Sequence, residues 1–147
     1  MRILGAQDKM NRRKARETAF VLLFEAKFHQ DRDMVEIYET AKTARAIEED
    51  DYVRTIIAGV TEKKDWLDAC IEKHSRGWKT SRISPVSLTI MEIAAYEICF
   101  CSDIPTLVSI NEALELVKNY DEDGARAFVN GVLNALAAEK GADQNAD

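Results

Sequence analysis

Apolar positions recur along this chain with helical spacing. Ala15, Ala19, Leu22, Leu23 and Ala26 fall on one face and predict a first helix over about 11–30, with Phe20, Phe24 and Phe28 as a second stripe beside it. Met34, Tyr38 and Ala41 mark a weaker helix over roughly 33–47. A third region begins near Asp50, where Val53, Ile56, Ile57 and Val60 set a phase that Leu67 and Ile71 continue. Lys64 falls on that stripe, so a helix break is expected near 59–61. Periodicity lapses over 77–84, which reads as a connector. It ends at Ser84-Pro85, an N-cap residue followed by the residue best suited to the first helical position. The helix expected over 86–101 is apolar almost all round, with Glu92 and Glu97 its only charges, and such a helix is usually central. Ser109 and Glu112 have the spacing of a capping box, opening a helix with Ile110, Ala113, Leu114 and Val117 inward and an end by Tyr120. After the turn 121–124, a last helix carries Val129, Val132, Leu133 and Leu136. Asn130 and Gly131 are poor residues for its interior; they are read as structural, Asn130 tying down a loop and Gly131 admitting a neighbouring segment.

The prediction is therefore an all-α fold of six or seven helices in two small packed bundles. A flexible basic segment is expected over 1–11, a single helical domain over 12–140 with sub-bundles at about 12–80 and 84–140, and a frayed tail over 141–147. Six Gly and two Pro in 147 residues agree with helices rather than a turn-rich sheet. The most apolar run, 93–101, contains Glu97 and is far too short to span a bilayer. The first residues have charge but no apolar core of a secretory signal. Cys70, Cys99 and Cys101 form an odd set, expected as reduced, buried thiols, so a cytoplasmic location without membrane attachment is expected.

Charge changes the picture more. Residues 1–16 hold six cations against Asp8, a net +5 that leaves −11 on the remainder of a chain whose total is −6. Within them Arg12, Arg13, Lys14 and Arg16 occupy a helix start, where the macrodipole favours acids. An anionic ligand would relieve that conflict and release counterions. Lys73, Arg76, Lys79 and Arg82 form a looser group that reads as solvated surface. Phe128 sits at the edge of the last apolar stripe, with Lys118 and Arg126 as candidate neighbours. A half-exposed ring beside cations is how single-stranded RNA is gripped. Catalysis finds no support: His29 and His74 are isolated, and no phosphate loop, nucleophile elbow or zinc motif occurs. No metal and no cofactor is expected.

The chain also resembles a known family. Arg12-Arg13-Lys14-Ala15-Arg16-Glu17, Ile93-Ala94-Ala95-Tyr96-Glu97-Ile98, Ile104-Pro105, Ser109-Ile110-Asn111-Glu112-Ala113-Leu114-Glu115-Leu116 and Phe128-Val129-Asn130-Gly131-Val132-Leu133 are similar, in order and spacing, to the bacterial transcription antitermination factor NusB family over about 11–138. The resemblance implies a two-bundle helical fold without enzymatic activity. It implies pairing with the ribosomal small-subunit protein NusE, joint binding of the boxA element in nascent RNA, and action on the transcription elongation complex at ribosomal RNA operons. It further implies RNA contacts from Arg12, Arg13, Lys14, Arg16 and Phe128. The family often carries Asp-Ser before a basic residue and that Phe, whereas this chain has Gly124-Ala125-Arg126-Ala127-Phe128; Phe24 stands where a Tyr can occur, and Glu92 where many members are basic. Two other readings stand beside this one: a helical protein–protein adaptor, and a substrate-binding domain akin to those attached to some RNA cytosine methyltransferases. Monomer and homodimer are both compatible with the sequence.

Overall fold

A computed structural model describes residues 10–145, and side chains as far as residue 141. The described residues form seven α-helices and one short 3₁₀ turn, without a strand. They belong to two compact units that divide between Glu62 and Lys63.

The first unit comprises α1 (Arg12–Ala26), α2 (Met34–Arg45) and α3 (Asp51–Glu62). Asn11 caps α1 by accepting from the Lys14 amide at 2.8 Å, and Asp33 caps α2 by accepting from that of Glu36 at 2.9 Å. Their apolar faces meet through Ala19, Leu22, Leu23, Ile37, Val53, Ile56 and Val60, all buried. Helix α1 stops four residues short of the expected Gln30, because Lys27, Phe28 and His29 close i→i−3 bonds that tighten its last turn. The phenylalanine stripe consequently runs outward: Phe20 is buried, Phe24 half-buried and Phe28 exposed. Helix α2 ends at Ala46, whose left-handed backbone (φ 53°) turns the chain.

One polar knot closes the turn between α2 and α3. Tyr38 is buried, and its hydroxyl donates to Glu49 (3.3 Å) while accepting from the Asp50 amide (3.2 Å). Glu49 in turn accepts from Lys42 (2.7 Å) and from two nitrogens of Arg54 (both 2.8 Å).

The second unit comprises α4 (Lys64–Lys73), the 3₁₀ turn (Thr80–Arg82), α5 (Pro85–Phe100), α6 (Thr106–Tyr120) and α7 (Ala125–Asn145). Ser84 and Pro85 start α5 as expected, the Ser84 hydroxyl accepting from the Ser87 amide. Helices α4, α6 and α7 all pack against α5. This grouping differs from sub-bundles divided at the 80–84 connector. The helix break lies at Lys63 (φ −98°, ψ 12°), beyond Gly59–Thr61, so α4 begins a new phase. Leu67 and Ile71 then face α5, while Lys64 reaches solvent and pairs with Asp68 at 2.8 Å.

Four local expectations need correction. Helix α6 begins at Thr106, so Ser109 is a turn inside it and caps nothing. Its hydroxyl donates instead to the fully buried Glu97 at 2.7 Å. A carboxylate on an apolar helix needs a donor more than a helix end exposed to water does. Asn130 bonds no loop; its carbonyl and side-chain oxygens accept from Asn134 on the same helix (2.8 and 2.9 Å). Gly131 is exposed, with nothing within 4 Å of where a Cβ would stand, so no segment approaches it. Helix α7 also continues past Gly141 to Asn145. Of the expected 1–11 segment, residues 1–9 lie outside the described residues.

Two outcomes follow from these polar contacts. Ser109→Ala removes a hydrogen bond to a buried carboxylate and should destabilise by about 1.5–3 kcal/mol, read as an earlier urea midpoint; an unchanged midpoint would contradict the packing described. The cations around Glu49, Arg54 foremost, hold its carboxyl down at about 2 from the ordinary 4.5. Its contribution to stability is thus complete above pH 4.5 and is lost as pH falls towards 2. Thermal midpoints of the wild type should drop more steeply through that window than those of Glu49→Gln.

Candidate nucleic-acid interface

The basic start of α1 divides into exposed and buried members. Arg12, Arg13 and Lys14 are exposed. Arg16 is 3% exposed, one turn beyond Arg12 on the same face. Both guanidinium groups lie over the Tyr52 ring of α3, Arg12 at 4.4 Å from its centroid and Arg16 at 5.3 Å. Lys14 pairs with Glu17 at 3.1 Å. Arg16 is therefore a packing group whose desolvated charge is met inside the unit. The other three keep an outward face at a helix start that has no acid in its first turn.

In the second unit, Phe128 is half-buried at the edge of the α7 stripe, as its phase predicts. The residue that meets it is not one of the expected cations. Trp78, 52% exposed, stands against it edge-to-face with ring centroids 6.4 Å apart. Two clefts share this ring pair as a wall. The larger, about 720 Å³, also takes in Tyr120, Arg82, Asp121 and Glu122. The smaller, about 400 Å³, has His74, Arg76 and Gly131 around it. Lys118 and Arg126 are exposed but line neither cleft. The Ser87 hydroxyl donates to Asp121 Oδ2 at 2.5 Å, and Asp121 Oδ1 accepts from the Glu122 amide at 2.9 Å, fixing the turn that leads to α7.

These placements favour binding over chemistry. Glu97 is held by Ser109, and Glu92, 2% exposed, has Lys64 Nζ at 4.0 Å. The three cysteines are free and half-buried rather than buried, and burial pushes the Cys70 and Cys99 thiols up. Among the described residues no group of three or more His, Cys, Asp or Glu is placed to hold a metal ion. No helix there is long and apolar enough to cross a membrane.

The sequence profile of the NusB family matches residues 13–138. The chain belongs to the NusB family. Relatives named transcription antitermination protein NusB include one from Clostridium acetobutylicum, 43% identical over 129 residues, or 86% of this chain and 95% of the relative. Another, from Agathobacter rectalis, is 44% identical over 131 residues, covering 87% of this chain and 100% of its own length. Among solved structures, T. maritima NusB superposes with a TM-score of 0.79 at 33% identity, over 89% of this chain and 93% of that one. A NusB solved together with NusE and double-stranded RNA has the same fold, with a TM-score of 0.77 at 24% identity over 87% and 96% of the two chains. Membership in the NusB family makes this a transcription antitermination protein rather than an enzyme.

The sequence pointed to the basic helix start and Phe128 as candidates but not to Tyr52 and Trp78, the rings that stand against them. A tyrosine near α3's first turn and a tryptophan inside a connector carry no periodic signal; the adjacent cations are their only local hint. Arg16→Met, which keeps the stem over Tyr52 and removes the charge, should cost about 0.5–2 kcal/mol in chemical unfolding. Arg13→Gln, on the exposed side of the same turn, should leave the midpoint nearly unchanged.

Proposed function

We propose that this NusB-family protein acts in the cytoplasm and binds single-stranded boxA-type RNA together with a NusE partner. In doing so it promotes processive transcription of ribosomal RNA operons within the elongation complex. Arg12, Arg13 and Lys14 supply phosphate contacts, Lys118 and Arg126 add positive charge on the second unit, and Phe128 stacks on a base. The observation that carries the reading is the cluster of outward cations on a helix start with no acid in its first turn. An isolated helix is destabilised by such a cluster, and a polyanion turns the same charges into binding energy. Arg16 supports this surface from below, since it is buried beneath it with its guanidinium over Tyr52.

The test is fluorescence anisotropy on a boxA RNA with and without NusE, against a scrambled strand. Specific binding that tightens with NusE is expected; binding indifferent to both sequence and partner would refute the proposal. Replacing Arg12, Arg13 and Lys14 by Gln should flatten the log Kd against log salt plot by up to about 2.1, at ~0.7 for each phosphate contact. Adding Arg16→Gln should not flatten it further, and should lower stability instead.

A further inference from the structure

The ring pair Trp78–Phe128 has a cleft on each side, and both volumes, 720 and 400 Å³, fall within the roughly 300–1,000 Å³ of small-molecule sites. The two clefts differ in lining. Beside the larger stand a third aromatic, Tyr120, and two carboxylates, Asp121 and Glu122, with Arg82 also on its border. Carboxylates repel phosphate, so a phosphate is a poor occupant of this space. A flat, uncharged ring with hydrogen-bond donors on its edge fits the same surroundings, and that is the chemistry of an unpaired nucleobase. The smaller cleft is open because Gly131 and Ala127 bring no bulk to its wall, and Arg76 stands beside it.

Trp78 is also held in place rather than loosely exposed. The two residues before it, Arg76 (φ 51°) and Gly77 (φ 90°), are both left-handed. For Arg76 this is a conformation that costs energy and needs a surrounding reason. The amide of Trp78 then donates to the Ser75 carbonyl at 3.1 Å, and Ser75 is buried with its hydroxyl donating to the Ile71 carbonyl at the end of α4. A turn of this kind aims the indole at Phe128 while leaving half of it in water. An exposed indole fixed in this way, with a cleft on either side, has the form of a wedge.

We propose that Trp78 is a second RNA-stacking residue. Together with Phe128 it forms a ridge that separates two neighbouring unpaired bases, one received in each cleft, with Arg82 and Arg76 beside the connecting backbone. The inference rests on the single-stranded RNA reading above and adds to it the residue that sets base spacing.

The two tryptophans of the chain make a direct test available. Trp66 stands against Phe100, apart from both clefts, so Trp66→Phe leaves Trp78 as the sole indole emitter. In the complex with NusE and boxA RNA, the emission of that variant should be quenched in proportion to the binding seen by anisotropy. Trp78→Ala should weaken binding about 5- to 150-fold, as expected for a lost base–aromatic stack, and Trp78→Phe should recover most of it. Circular dichroism checks that each variant keeps its helices. Undiminished RNA binding with unquenched Trp78 and an unaffected Trp78→Ala would overturn this inference alone. Failure of the wild type to bind the RNA at all would overturn both it and the reading on which it rests.

Discussion

Helix α5 cannot face water on any side. From Ser87 to Ala95 every residue is buried, including Glu92. The rest of the second unit follows from that constraint: α4, α6 and α7 each lay an apolar stripe on α5. Burial of so complete a helix supplies the main driving force, at roughly 25 cal/mol for each Å² of apolar surface removed from water. The same burial makes its carboxylates costly. Glu97 is answered by Ser109 from α6, and Lys64 stands 4.0 Å from Glu92, so polar contacts fix the register that apolar packing alone leaves loose.

The first unit meets a different difficulty, a helix that opens on four cations in five residues. Tyr52 resolves part of it by placing an electron-rich ring under Arg12 and Arg16. The capping oxygen of Asn11 and the pair Lys14–Glu17 resolve more. Arg12, Arg13 and Lys14 stay exposed on this braced helix, so the positive charge is presented from a firm base. Bracing of this kind lowers the cost of ordering side chains when a polyanion binds.

In the second unit, packing of α5 against α6 and α7 leaves the connector before α5 and the turn before α7 beside one another, and the larger cleft arises there, while the smaller lies between residues 74–78 and α7 itself. Ser87 on α5 pins Asp121 in that turn, so the floor of the larger cleft is tied to the central helix. Small residues at Ala125, Ala127 and Gly131 keep the space open where larger side chains would fill it.

Helical periodicity determined the all-α fold, the central place of α5 and the marginal position of Phe128, and residue chemistry alone marked the cap at Ser84. These are properties of spacing within one element, which a linear sequence records in full. The basic cluster was equally legible as composition. Tertiary structure decided the rest. It grouped α4 with α5, because Lys63 leaves helical geometry four residues past the helix-breaking signal at Gly59. It turned Ser109 from a cap into the donor for Glu97, because burial outweighs a local motif. It withdrew Arg16 from the surface and set Trp78 against Phe128, since a contact between elements depends on where two helices cross, and no spacing along one of them encodes that.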